Sequence, residues 1–126
     1  MGLVVTLARM IKNLKLHGRM WLTLDGKNVV GHGRVELLRQ IGETGSISKA
    51  AKTMKMSYKA AWDAVDAMNN AMGTPVVESA TGGLKGGGSQ LTESGKRLIS
   101  EFESMEVRHR EWLEQMSREL PKRFKS

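Results

Sequence analysis

Apolar and polar residues alternate from Leu14 to Leu24 (LKLHGRMWLTL), with Leu14, Leu16, Trp21 and Leu22 marking the period and a slip of phase near Gly18. A period of two belongs to an extended chain, and Asp25-Gly26 before Val29-Val30 supplies a hairpin turn. A small N-terminal β-hairpin is predicted. The period then lengthens. Between Arg34 and Glu43, Val35, Leu38 and Ile41 recur at helical steps with Leu37 widening the stripe, and Gly45 stands where a left-handed residue would stop the helix. Ser46 is suited to cap a second helix over 47–53, with Ile47, Ala50 and Ala51 inward and Lys49 and Lys52 outward. After a tight Met54-Lys55-Met56 turn, Ser57 caps a third helix running to about Met72, striped by Ala61, Val65, Met68 and Met72 and ended by Gly73 and Pro75.

Val76-Val77-Glu78 and Ser89-Gln90-Leu91 read as short strands joined by the glycine-rich loop SATGGLKGGG. Thr92 caps the last helix, Glu93 to Leu120, about 42 Å long at 1.5 Å per residue, and Pro121 is expected to close it. Leu98, Phe102, Met105, His109, Trp112 and Met116 alternate along it at steps of four and three, a seam suited to a partner helix. The expectation is a homodimer, with packing of the seam on the chain's own N-terminal domain as the alternative. His109 is either a polar register position or an imidazole at the solvated edge of the seam.

Composition narrows the class. With 126 residues, 40% apolar residues, three Trp and no Cys, the chain fits one domain and has no disulfide scaffold or Cys-based zinc site. The apolar run Leu3–Leu7 is broken by Arg9 too early for a membrane span, and its charges follow it, unlike those of a secretory signal. A retained and poorly ordered N-terminus, in a soluble cytoplasmic protein with no membrane partner, is expected. The formal charge of +7 lies in the N-terminal half, which holds 11 of the 20 Lys and Arg but only 3 of the 13 Asp and Glu. Such a field suits a polyanion, or simply a solubilising face.

Helices 2 and 3 with their turn form a helix-turn-helix, whose second helix enters the major groove of DNA with its N-terminal residues at the base edges. Lys49, Lys52, Lys55 and Lys59 have no acid among them between Glu43 and Asp63, which favours DNA. Lys59 can reach guanine O6/N7 or phosphate, Tyr58 phosphate or a thymine methyl, and Ser57 either. Trp62 is a candidate contact to sugar or the wing, although its neighbours Ala61 and Val65 favour a core position. Asp63 and Asp66 are expected to point away from the duplex. As the tip of a β-wing, Gly82-Gly83-Leu84-Lys85-Gly86-Gly87-Gly88 would let backbone approach phosphate while Lys85 adds charge; it lacks the Gly-Lys-Ser/Thr ending of a phosphate loop. His17, His32 and His109 have no metal-ligand spacing and no nucleophile motif occurs, so neither a metal site nor an enzyme is expected.

Specific words now accumulate: Gly45-Ser46-Ile47-Ser48, Ala50-Ala51, Met56-Ser57-Tyr58-Lys59-Ala60-Ala61-Trp62-Asp63-Ala64, Ala80-Thr81-Gly82-Gly83, Gly86-Gly87-Gly88 and Leu91-Thr92. Over about residues 14–116 the chain resembles the N-terminal DNA-binding domain of ModE-type molybdate-responsive regulators. The resemblance implies a LysR-like winged helix-turn-helix that dimerises through long helices and binds a palindromic operator. It implies Ser57, Tyr58 and Lys59 at the start of the recognition helix and a wing over Thr81 to Ser89. Lys55 departs from the pattern, in which glycine is frequent at that turn. Members also continue into β-barrel repeats that bind molybdate, for which these residues hold no counterpart, so no cofactor is expected in this chain.

The fold expected is mainly α with small β: an N-terminal segment (1–13), a winged helix-turn-helix (14–92), a dimerisation helix (93–120) and a tail (121–126). The candidate DNA-binding set is Ser46, Ser48, Lys49, Lys52, Lys55, Ser57, Tyr58, Lys59, Trp62, Thr81, Gly82, Gly83, Lys85, Gly86 and Gly87. The function expected is a sequence-specific transcription regulator linked to molybdenum metabolism. The alternatives are an interaction module for a separate oxyanion-sensing, molybdate-binding protein and, last, a small oxyanion sensor built on the glycine loop.

Overall fold

The protein is described here by a computed structural model covering residues 11–80 and 88–124. Strands β1 (Leu22–Leu24) and β2 (Lys27–Val30) pair antiparallel, with Leu24 opposite Lys27 across Asp25 and Gly26 at φ 51° and 79°. Two consecutive positive φ angles are what a type I′ turn requires, and Asp and Gly tolerate them best. The hairpin is shorter than the alternation predicts. The register shifts between Leu22 and Thr23, and residues 14–20 form no strand. Instead the Leu16 amide donates to Ser117 Oγ at 2.8 Å, a side-chain partner that a strand ladder would not use.

Helix α1 (His32–Thr44) buries Val35, Leu37, Leu38 and Ile41, the stripe expected from the sequence. It begins two residues before Arg34, whose guanidinium donates to the Val29 carbonyl at 2.7 Å and fastens the helix to β2. Gly45, at φ 71°, ends it by donating to the Ile41 carbonyl at 2.9 Å. Helix α2 (Ile47–Thr53) and helix α3 (Tyr58–Ala71) pack on each other, and Ala50, Ala51, Ala61 and Ala64 are all buried. Side chains this small let the two backbones approach closely. Val65 and Met68 complete the inner face of α3; Met72, expected on the same stripe, lies beyond its end and is exposed.

Strands β3 (Val77–Ala80) and β4 (Gly88–Leu91) pair antiparallel, Val77 opposite Leu91 and Ala80 opposite Gly88. Their root is held on both sides. Ser89 N donates to Gly45 O at 2.9 Å, and a Cβ on Gly88 would lie 3.0 Å from that same carbonyl. Thr92 N donates to Val76 O at 3.1 Å and Thr92 Oγ1 to Pro75 O at 2.6 Å, while that hydroxyl oxygen accepts from Gly95 N and caps the next helix.

Helix α4 (Glu93–Arg123) spans 31 residues. It passes through Pro121 instead of stopping there. A proline this near the end removes only the donor that would have reached the Ser117 carbonyl, and Phe124 N still donates to Leu120 O at 3.2 Å. The chain forms two compact units: Trp21–Glu103, and the described residues up to Met20 together with those from Ser104 onward. In the first, Phe102 joins Leu37, Leu38, Ile41 and Met68 in the core with essentially no exposure. Among the described residues, no helix is long and apolar enough to cross a membrane.

Candidate nucleic-acid interface

The site is built around the α2–α3 corner. Ser46 and Ser57 cap the two helices, their Oγ atoms accepting from Lys49 N at 3.1 Å and Ala60 N at 3.0 Å. Between the helices, Met56 N donates to Ala51 O at 3.0 Å and Lys55 N to Lys52 O at 3.1 Å. These are the paired bonds of a Schellman stop, which places Lys55 at the left-handed position with φ 56°. A side chain there is strained, as the sequence comparison at Lys55 suggested, yet the turn keeps its geometry and gains an exposed cation.

Lys49, Lys52 and Lys55 are all exposed, and none makes an ion pair among the described residues. Lys59 differs. Its ammonium lies 2.8 Å from Asp63 Oδ2, one helical turn on, and this partner holds it above the ordinary lysine range. The open face of α3 therefore carries Tyr58, Lys59, Trp62, Asp63 and Asp66, one cation against two carboxylates. Asp63 shares that face through the ion pair, and Asp66 lines the same groove as Tyr58 and Trp62.

That groove, about 650 Å³, runs between α3, the start of α2 and the root of the hairpin. Ser46, Ser48, Tyr58 and Trp62 from the predicted set line it, with Asp66, Asn69, Glu78 and Ser89. Trp62 is not a core residue: it is 47% exposed, and Tyr58 56%. Its immediate neighbours Ala61 and Val65 are the ones that face inward, so their apolar character misleads about Trp62 itself. Of the predicted wing residues, Thr81, Gly82, Gly83, Lys85, Gly86 and Gly87 lie outside the described residues.

Asn69 was not anticipated. Its Oδ1 accepts from Val76 N at 2.7 Å and Val77 N at 3.3 Å, and its Nδ2 donates to Val77 O at 3.3 Å. One side chain thus ties the third helix to the first strand of the hairpin. The available signal was an Asn in the last turns of a helix, just before Gly73 and Pro75, where a side-chain amide can serve the returning backbone.

Along α4 the six-residue seam divides. Leu98 and Phe102 are buried in the core of the Trp21–Glu103 unit, so they are not available to a partner helix. This corrects the expected seam at its N-terminal end, which the core of the chain's own Trp21–Glu103 unit covers. Met105 and Trp112 are exposed, the latter 52%, while His109 and Met116 are half-buried. His109 Nε2 lies 3.2 Å from where a Cβ on Gly18 would stand.

Two capped helices joined by a tight turn, followed by an antiparallel hairpin, define a winged helix-turn-helix, a DNA-binding class of fold. Residues 33–96 match the description "Bacterial regulatory helix-turn-helix protein, lysR family", and the chain belongs to that family. It is 41% identical over 102 residues to the "Molybdenum transport protein ModE" of Azotobacter vinelandii, covering 81% of this chain and 38% of that one. It is 53% identical over 78 residues to the "Molybdenum-pterin-binding protein MopB" of Rhodobacter capsulatus, covering 62% of this chain and 29% of that one. To the "DNA-binding transcriptional dual regulator ModE" of Escherichia coli it is 45% identical over 82 residues, covering 65% and 31%. The chain thus spans 38% or less of the length of these relatives.

Proposed function

We propose that the chain is a cytoplasmic, sequence-specific DNA-binding transcription regulator linked to molybdenum metabolism, and that it acts as a homodimer. The observation that carries this reading is the α2–α3 corner, where three exposed lysines with no ion-pair partner among the described residues flank a capped helix whose aromatic residues stand open. The names of its relatives support the link to molybdenum. In this reading Lys49, Lys52 and Lys55 hold phosphates, Ser57, Tyr58 and Lys59 meet base edges, Ser46, Ser48 and Trp62 border the backbone of the duplex, and the 81–87 tip reaches an adjacent phosphate. The exposed stretch of α4 around Met105 and Trp112 pairs with a second copy, so that two recognition helices meet half-sites one DNA turn apart, roughly 34 Å. No catalytic role, metal or cofactor is proposed for these residues.

The test is fluorescence anisotropy with a duplex enriched from a randomised pool and a scrambled duplex, across salt concentration and with and without molybdate. A specific-to-nonspecific ratio above roughly a thousand, falling affinity with salt and no effect of molybdate are expected. Sedimentation should give a dimer that Trp112→Glu dissociates. Absence of binding to both duplexes at low salt would overturn the regulator reading in favour of a module that docks on a separate molybdate-binding protein.

A further inference from the structure

The helix proposed to read bases is poor in positive charge. From Tyr58 to Ala71 its charged residues are Lys59, Asp63 and Asp66, and its one cation is already paired. A helix bearing a net negative charge is a weak source of phosphate affinity, which falls to the α2 lysines and Lys55. Its open face must then contribute something other than attraction.

The geometry of the pair suggests what. Lys59 Nζ and Asp63 Oδ2 are 2.8 Å apart and lie on the exposed side of α3, the side chains 84% and 59% open to solvent. An ammonium has three donors, so one bond to Asp63 leaves two directed outward. The carboxylate keeps acceptor capacity beside them. In the major groove a G·C pair presents the guanine O6 and N7 acceptors next to the cytosine N4 amino donor. Donor and acceptor side by side on the helix match acceptor and donor side by side on that base pair. A phosphate, by contrast, offers only acceptors and repels the carboxylate.

Resting on the regulator reading above, we infer that Asp63 is a specificity-determining residue. It holds the Lys59 ammonium toward guanine and away from phosphate, and itself accepts from the N4 amino group of the paired cytosine. The Lys59–Asp63 pair reads one G·C base pair as a unit, trading affinity for discrimination.

The experiment is a double-variant cycle with Lys59→Ala, Asp63→Ala and both together. It uses the full chain, a duplex enriched by the wild-type protein from a randomised pool, the same duplex with each G·C replaced singly by A·T, and a scrambled duplex. The wild-type protein should lose about tenfold in affinity at one G·C position. Asp63→Ala should erase that preference while binding scrambled DNA more tightly, with a salt slope steeper by about 0.9 as Lys59 turns to a phosphate. Lys59→Ala should erase the same preference, and the double variant should lose no more G·C discrimination than either single one. Asp63→Asn, which keeps an acceptor oxygen but loses the charge that holds the Lys59 ammonium, should fall between wild type and Asp63→Ala in its G·C preference, with thermal melting unchanged in every variant. Retention of the G·C preference in Asp63→Ala, equal tightening on all duplexes, or losses that multiply in the double variant would each overturn the inference. A wild-type protein that does not distinguish the enriched duplex from the scrambled one would instead overturn the regulator reading on which it rests.

Discussion

Asn69 Oδ1 sits 2.7 Å from the amide nitrogen of Val76, so a single side chain near the end of α3 fixes where the hairpin begins. Val76 is fully buried, and water cannot replace a lost acceptor at that amide without cost. Asn69→Ala leaves the Val76 and Val77 amides short of an acceptor and should destabilise the fold by about 1–3 kcal/mol. Asn69→Asp keeps the acceptor and loses only the donation to Val77 O, so it should retain a large share of the stability. Urea unfolding followed by circular dichroism separates the two; equal losses would mean that the carbonyl partner, not the amides, carries the contact.

A methyl group at Gly95 would stand 2.1 Å from the Val76 carbonyl oxygen, a backbone atom that cannot swing aside. Gly95→Ala should therefore cost at least about 3 kcal/mol, beyond the usual range for overpacking by one carbon. Gly33 in the first turn of α1 is the control: nothing lies within 4 Å of its added Cβ, and Gly33→Ala should stabilise slightly, by less than about 1 kcal/mol, through helix propensity. Melting temperatures of the two variants should move in opposite directions.

Lys55 holds a left-handed conformation at φ 56°, and Lys55→Gly should raise stability by about 0.5–1 kcal/mol after the added backbone freedom of the unfolded chain is offset. The same change removes one exposed cation from the proposed interface. The slope of log affinity against log salt should flatten by about 0.9. Greater stability with an unchanged slope would place Lys55 off the duplex.

Glu36 accepts from Gln40 and Arg39, and these hydrogen bonds outweigh its partial desolvation and hold its carboxyl below the ordinary value of 4.5. Arg39 also binds Glu103 of α4, which raises the guanidinium further. A carboxyl whose folded pKa is depressed stabilises the fold above its unfolded pKa and loses that contribution as pH falls through the folded one. Stability should thus decline below about pH 4.5, and Glu36→Gln should make the decline shallower. The Arg39 contribution is lost only as pH rises through a value above the lysine range, so it leaves this window untouched. Chemical denaturation at pH 3 to 7 checks both statements.

Much of this arrangement was legible in the order of residues. Ser46, Gly45, Ser57 and Asp25-Gly26 act through their own backbone and nearest neighbours, so their roles as caps, stop and turn appear in sequence and recur in space. Trp62, Leu98 and Phe102 were harder, because each depends on what a helix face meets. A period of three and four says that residues share a side, not whether the chain itself or another molecule covers it. Phe102 is covered by the chain, whereas Trp62 is left 47% exposed. The Lys59–Asp63 spacing was visible as i, i+4, but sharing a face with Lys59 changes the meaning of the acid. Asn69 joins elements eight residues apart through a turn, and its place before Gly73 and Pro75 marks it only as a candidate for serving the returning backbone, not which amides it meets.

Gly45 ends one helix with its amide and receives the hairpin with its carbonyl, through Ser89. The root of the hairpin is therefore referenced to the same residue that opens the helix-turn-helix. Chain length between Ala80 and Gly88 can change without moving that reference, whereas a one-residue slip of β4 would separate Ser89 from Gly45 and turn its side chains over. The two β-strands thus inherit their position from the residue that stops the first helix, so whatever disturbs Gly45 is felt at both the helix-turn-helix and the hairpin.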